Sequence, residues 1–343
     1  MPYSIADIAL KAGVSTTTVS RVINNIRKGV SPQTREHVLA VIYEMNYRPN
    51  LAARGIARSR SGIIGVIIPD VSNLFYPQVL RGIDDRIRTR GYRMMLCDSD
   101  ADPEREKQQL MAMVDNRVEG VILCSGVSNE PFLKQYRSYG MPLVMIGRSF
   151  DSQYADGCVS GDNQAGMHRS VSYLIGHGHR DILYLDGPAA VAGPMHRSCG
   201  YRSALADHAL PFRPELVRQG DFSIRYGFDT VTGLLEDGIR FTAVAAGSDL
   251  IAIGAVKALK SKGIAVPGDA EVMGFDNIDL SSIYEPCLST VSKPHYLMAG
   301  TAAGMLLDII EGRPPETTRI TAATELVLRD TTRPDTRQGD DPT

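Results

Sequence analysis

Thr16 and Thr17, followed one helical turn later by Arg21, bring two hydroxyl- and methyl-bearing side chains and one guanidinium to the start of a single short helix. That set suits the edges of stacked bases: hydroxyls bond there, methyls meet thymine methyls, and an arginine offers two donors to guanine N7 and O6. These three are the candidates for reading base sequence in a major groove. The rest of the chain offers little for catalysis. It has no Gly-x-Gly-x-x-Gly after the first apolar run, no phosphate loop closing on Lys-Ser/Thr and no Gly-x-Ser-x-Gly elbow, so no enzyme is expected. His177 and His179 flank Gly178 at a helix end and read as cap residues rather than metal ligands. Cys97, Cys124, Cys158, Cys199 and Cys287 lie far apart without a Cys-x-x-Cys pair, which supports neither a zinc cage nor a disulfide framework; buried thiols are expected. No metal and no cofactor is called for.

The elements that position Thr16, Thr17 and Arg21 are legible from their caps. Ser4 with Asp7 forms a capping box for a helix through Leu10 and Ala12, ended by Gly13. Ser15 caps a second helix from Thr16 to Asn24, and Ser31-Pro32 caps a third, with proline where its missing N–H costs nothing. Ala9, Gly13 and Val19 then supply a small residue for close helix crossing, a glycine for a left-handed turn and an aliphatic plug: a helix-turn-helix, with a plain helical hairpin as the alternative. Charge favours the former. Residues 1–62 carry nine Lys and Arg against three Asp and Glu, and the remainder 28 against 36, so a basic module of +6 precedes an acidic body of -8.

The run from Ser4 to Asn24, with Val30-Ser-Pro-Gln-Thr-Arg35 and Asn46-Tyr-Arg-Pro-Asn50, closely resembles the headpiece of the LacI/GalR family of bacterial transcription regulators. The resemblance implies that Ser15, Asn24, Tyr47 and Asn50 hold the phosphate backbone, which sets register without reading sequence. It also implies that residues 50–61 form a hinge helix that folds on DNA, with Ile56 wedging a base step open in the minor groove; a plain linker is the alternative. Two departures stand out. Isoleucine replaces leucine after a helix-weakening Gly55, and the Asn25–Gly29 loop is about one residue longer than the pattern, which alters where Arg27 and Lys28 fall.

With 343 residues, 43% of them apolar, roughly two domains are expected. No stretch approaches the ~18 uncharged apolar residues of a membrane span, and no export signal is visible, so the expected compartment is the cytoplasm. Beyond Gly62, continuous apolar runs such as Ile63–Ile68, Gly120–Cys124, Ile182–Leu185 and Val272–Phe275 alternate with helical stretches. Continuous rather than alternating runs mean strands covered on both faces, hence a doubly wound parallel α/β body, and about eleven strands suit two subdomains better than one sheet. The resemblance implies a periplasmic-binding-protein-like clamshell. The expected division is a headpiece at 1–49, a hinge at 50–61, an effector-binding and dimerisation domain at 62–330 and a disordered tail at 331–343. Within the body, subdomain 1 takes about 62–160 and 292–320, and subdomain 2 about 161–291 and 321–330.

Ligands of such sheets bind beyond the carboxyl ends of strands. There the family likeness implies an effector site of Asn73, Phe75, Arg148, Arg197, Phe222, Ser248, Asp276 and Lys293, with Asp249 read as a helix cap. Asp276 can accept two hydroxyls of a diol and Arg197 donates a planar fork, so a sugar fits. Arg148 and Lys293, standing where relatives carry other residues, lean toward an acidic or phosphorylated sugar. A purine or nucleoside remains an alternative effector, and a sugar-binding transport protein or a sugar enzyme with a DNA-binding appendage the alternatives of a different class. The expected partners are double-stranded operator DNA, a small-molecule effector and a second copy in a homodimer, with no membrane.

Overall fold

In the computed structural model, residues 3–47, 60–124, 130–147, 153–188 and 192–334 are described, and the chain divides into two compact units, Met1–Ser61 and Gly62–Thr343. In the first unit, three helices are set by their caps: α1 (Ile5–Lys11), α2 (Thr16–Ile23) and α3 (Pro32–Glu44). The Ser4 hydroxyl accepts the Asp7 N–H, and the Asp7 carboxylate accepts the Ser4 N–H at 2.7 Å, closing the box. Gly13, at φ +64°, makes the left-handed turn into α2, which Ser15 caps by accepting the Thr18 N–H. Ile8, Ala9, Ala12, Val19, Val22, Val38 and Val41 close a small core between the three helices.

The second unit holds two six-stranded sheets. The first is built from β1 (Ile63–Ile68), β2 (Arg93–Asp98), β3 (Gly120–Leu123), β4 (Leu143–Ile146), β5 (Gly157–Gly161) and β11 (Arg319–Ala322), in the order β11-β5-β4-β3-β1-β2, every pair parallel. Helices α4 (Tyr76–Arg88) and α12 (His295–Ile310) cover one face, α5 (Pro103–Asp115) and α6 (Glu130–Arg137) the other. The second sheet takes β6 (Ile182–Asp186), β7 (Val217–Gln219), β8 (Ala243–Ala246), β9 (Glu271–Asp276), β10 (Ser289–Ser292) and β12 (Glu325–Val327), in the order β12-β10-β9-β8-β6-β7. Its faces are covered by α9 (Ile224–Glu236) with α10 (Asp249–Ser261), and by α7 (Asn163–Gly176) with α8 (Ala192–Asp207); the one-turn α11 (Leu280–Ile283) follows β9. The inner strands of each sheet are therefore covered on both faces, which is why they read as unbroken apolar runs, whereas the outer strand β2 leaves Arg93 and Leu96 exposed.

The chain passes between the sheets three times, from β5 to α7, from β10 to α12 and from β11 to β12. The last passage is short, and β12 runs antiparallel to β10, an edge strand added to an otherwise parallel sheet. Helices pack closely where glycines face each other. A Cβ on Gly227 would stand 2.2 Å from the Ile251 carbonyl and one on Gly254 2.1 Å from the Ile224 carbonyl, so α9 and α10 touch backbone to backbone.

Two expectations need correction, and a third gains a further role. Thr331 to Arg333, placed in a disordered tail, are docked: Val272 N–H donates to the Thr331 carbonyl at 2.9 Å, the Thr331 hydroxyl donates back to the Val272 carbonyl, and Arg333 reaches Glu271. Their hydroxyls supply hydrogen bonds that the end of the sheet would otherwise lack. Among the cysteines only Cys124 and Cys158 are buried; Cys199 is exposed, on a part of α8 that faces away from the core. His177 does end α7, but it and His179 also converge on the buried Glu271. Burial works to raise that carboxyl, and hydrogen bonds from His179, Arg333 and His177 outweigh it and hold it at about 2.

Candidate functional site

On the first unit, Thr16 and Thr17 are exposed in the opening turn of α2, where unpaired backbone N–H groups and the helix dipole attract phosphate. Arg21 is exposed one turn on. Its guanidinium lies over Gly29, where a Cβ would come within 2.7 Å of Nη1, and Gly29 itself is at φ +79°. The longer loop is thus shaped around the arginine: Ile26 N–H donates to the Arg21 carbonyl at 2.9 Å, and Arg35 donates to Asn25 Oδ1. Arg27 and Lys28 are exposed on the same loop. Ser15 is exposed as the α2 cap, Asn24 ends the helix with its amide donating to the Ser20 carbonyl at 2.8 Å, and Tyr47 is half-buried against the small core. Asn50 and Ile56 lie outside the described residues.

In the second unit, most of the expected effector residues form one connected cluster at the carboxyl ends of the strands. Asn73, after β1, accepts the Phe75 N–H at 2.9 Å and so fixes the turn that presents Phe75, whose ring meets His295 edge-on at 4.5 Å. Arg197, on α8, is 4% exposed; Nη1 donates to Asn163 at 3.2 Å, and the guanidinium stands 5.5 Å from the Phe222 ring and 5.1 Å from that of Phe275. Phe222 rests on Gly187, where any Cβ would lie 2.2 Å from the ring. Lys293, 9% exposed, runs its stem along Gly161 and brings Nζ to 2.7 Å from Asp276 Oδ1, between the rings of Phe75 and Phe275 at 5.1 Å each. Asp276 is held at φ +112°, a backbone state that costs a non-glycine residue of the order of 1–3 kcal/mol.

Ser248 is buried and spends its oxygen on capping α10, accepting the Ile251 N–H at 3.3 Å. It, and not Asp249, is the cap. The Asp249 carboxyl turns inward to accept the Ile278 N–H and the Thr290 hydroxyl in space that Gly274 leaves free, and burial, then Asp276, push it up to about 8, so it is protonated at neutral pH. Arg148 lies outside the described residues.

Two further members escaped the sequence reading. His295 approaches the Asp276 carbonyl with Nε2 at 2.5 Å; burial, and then the Lys293 charge, lower it to about 4, so the ring is neutral. Asp186, the last residue of β6, is wholly buried with Oδ1 accepting the Gly187 N–H at 2.8 Å. Its signal was an acid at the carboxyl end of an apolar strand directly before glycine. Among the described residues, three buried polar atoms of the cluster lack a hydrogen-bond partner: Arg197 Nε, Asp186 Oδ2 and His295 Nδ1. Unmet donors and acceptors at such density are costly unless something polar fills them, and a polyhydroxyl compound offers both kinds. A cavity of about 290 Å³ opens beside Lys293 and His295, lined also by Gln78, Asn277, Asp279 and Arg329, and of the expected effector residues it touches Lys293 alone.

Comparison with known proteins bears on both units. Residues 4–50 match the pattern described as bacterial regulatory proteins, lacI family, and residues 61–328 that of periplasmic binding proteins and the sugar binding domain of the LacI family. Catabolite control protein A of Priestia megaterium is 35% identical over 309 residues, 89% of this chain and 92% of that one. The ribose operon repressor of Halalkalibacterium halodurans is 34% identical across 96% of this chain and 97% of its own. The solved structure of the lac repressor dimer bound to operator and the anti-inducer ONPF superposes with a TM-score of 0.86 at 28% identity, covering 97% of this chain and 99% of that chain. No helix among the described residues is long and apolar enough to cross a membrane.

Proposed function

The chain belongs to the LacI family of bacterial transcription regulators, and from that membership we propose that it is a repressor of carbohydrate-utilisation genes whose hold on operator DNA is set by a sugar bound between its two sheets. The observation that carries the DNA half is the capped N-terminus of α2 with Thr16, Thr17 and Arg21 exposed in succession. In this reading they contact base edges, Ser15, Asn24, Tyr47 and Asn50 grip phosphates, and residues 50–61 form the hinge, with Ile56 as the minor-groove wedge. The ligand half rests on the buried polar atoms at Arg197, Asp186 and His295 that have no hydrogen-bond partner among the described residues, backed by Phe75 and Phe222 as apolar platforms for a sugar ring.

The switch follows from the three chain passages between the sheets. A ligand that bonds Asp276 and Arg197 on one sheet and Phe75 and Asn73 on the other favours one angle between them. In a homodimer that angle sets the spacing of two headpieces, and with it affinity for a palindrome. Such a protein works where the chromosome is, in the cytoplasm. A sugar receptor without a DNA role would leave the basic first unit unused.

Selection of bound sequences from a random duplex pool, with and without sugars, tests the reading. A palindrome of roughly 14 to 18 base pairs whose recovery changes with one sugar is the expected outcome. Recovery of salt-sensitive but sequence-independent binding alone sinks it.

A further inference from the structure

The cluster contains two buried cations: one is ion-paired with a carboxylate, and the other lies in the field of a second carboxylate with no ion pair to it among the described residues. Lys293 stands 2.7 Å from Asp276. Arg197 is coupled electrostatically to Asp186, which lies under the same aromatic platform: Phe222 covers Arg197 and rests on Gly187, the neighbour of Asp186. Both cations are 5.1 Å from the centroid of the Phe275 ring. Asp186 is in addition provided for by the backbone. Gly187 N–H satisfies Oδ1, and Gly247 keeps clear of it, since a Cβ there would approach Oδ1 to 3.1 Å. Among the described residues, Asp186 Oδ2 and Arg197 Nε are each left without a hydrogen-bond partner, and the Tyr184 phenol acts on the same carboxyl and lowers it.

We propose that Asp186 is a specificity-determining residue of the effector site: without an ion pair to it, Asp186 offsets the charge of Arg197 under the shared Phe222 platform, while Asp276 pairs Lys293 directly, so that the site takes uncharged, hydroxyl-rich sugars and rejects sugar acids and sugar phosphates. The proposal rests on the sugar-effector reading given above. A hydroxyl on the ligand donates to Asp186 Oδ2 and accepts from Arg197 Nε, filling both vacancies. A carboxylate or phosphate at that place gains from Arg197 but is repelled by Asp186 at similar range, and it carries no proton for Oδ2. The cationic excess expected from Arg197 and Lys293 is thereby cancelled where it would have mattered.

Burial pushes the Asp186 carboxyl up to about 6, against the pull of Arg197, so it is mostly ionised at pH 7.5 and protonated at pH 5. The other ionisable groups coupled to it are Arg197 and the phenols of Tyr184 and Tyr226. Burial raises both phenols, so among these four only Asp186 changes charge between pH 5 and 8.

Isothermal titration of the full-length protein at pH 7.5 against matched pairs provides the test: D-galactose with D-galacturonate, D-glucose with D-gluconate, and D-ribose with D-ribose 5-phosphate. Wild type should bind the neutral member of a pair at least about tenfold more tightly than its anionic partner, and Asp186→Asn should shift that ratio toward the anion by about tenfold or more. Wild-type preference for the anion, or a ratio that Asp186→Asn leaves unchanged, overturns the proposal. Melting without ligand supplies a second readout. The raised carboxyl stabilises the folded chain below about pH 4 and loses that contribution as pH rises through 6, so wild type should lose melting temperature between pH 5 and 7.5 relative to Asp186→Asn. Parallel curves count against the proposal, and Asp186→Ser serves should the amide variant misfold. If no sugar of any pair binds wild type, the effector reading itself falls and takes this inference with it; that result is distinct from a sugar that binds with a charge preference blind to Asp186.

Discussion

An arginine that reads guanine and an arginine that grips phosphate differ in what their loss does. Arg21 is exposed and its guanidinium is seated over Gly29, which limits where it can point. Arg21→Ala should therefore cost about 1 to 3 kcal/mol at one base position per half-site and relax preference there; fluorescence anisotropy across single-base operator variants measures it, and uniform weakening would make Arg21 a phosphate contact. Asp249 offers a residue-scale prediction of another kind. Its carboxyl, raised to about 8 by burial and then by Asp276, favours folding most below about pH 4, and that contribution disappears as pH climbs through 8. Asp249→Asn should accordingly flatten the fall of melting temperature between pH 6 and 9 relative to wild type. Neither Asp249 nor Asp186 could be assigned from sequence, because an acid at a strand end has the same spelling whether it caps a helix, holds a loop or waits for a ligand. Only the neighbours decide. Thr290 and Ile278 claim Asp249, whereas one oxygen of Asp186 has no hydrogen-bond partner among the described residues.

At the scale of elements, legibility followed the strength of the local signal. Ser4, Ser15 and Ser31 announced three helix starts because capping is a contact within four residues, and the apolar runs announced strands because the inner strands are covered on both faces. Strands β7 and β12, three residues each and partly polar, carry no such pattern, and the docking of Thr331 depends on partners some forty to sixty residues away. Tertiary pairing sets those pieces. The α9–α10 crossing gives a sharp test of close packing. Gly254→Ala sets a methyl against the Ile224 carbonyl and should destabilise the body by about 1 to 3 kcal/mol, seen as a lower urea midpoint with little change in slope. A neutral result would mean that the two helices can separate freely.

For the whole molecule, charge and connectivity divide the labour. The first unit carries the basic excess and the second the acidic one, so affinity for operator DNA should fall as salt is added. Arg197→Ala should abolish the response to sugar while operator binding without ligand persists, as read by gel shift with and without the sugar; an unchanged response would remove Arg197 from the site. Connectivity has a consequence in time as well as in space. The first sheet gains its covering helix α12 and its edge strand β11 only from residues beyond His295, and the second gains β12 and its pinned end from residues 325–333. The first unit, with a core of its own, is complete once 61 residues exist. During synthesis the part that meets DNA is finished long before the part that answers to a metabolite, and a chain cut short before Ile310 keeps the first without the second. Damage late in the message should leave a folded first unit on a body that can complete neither sheet.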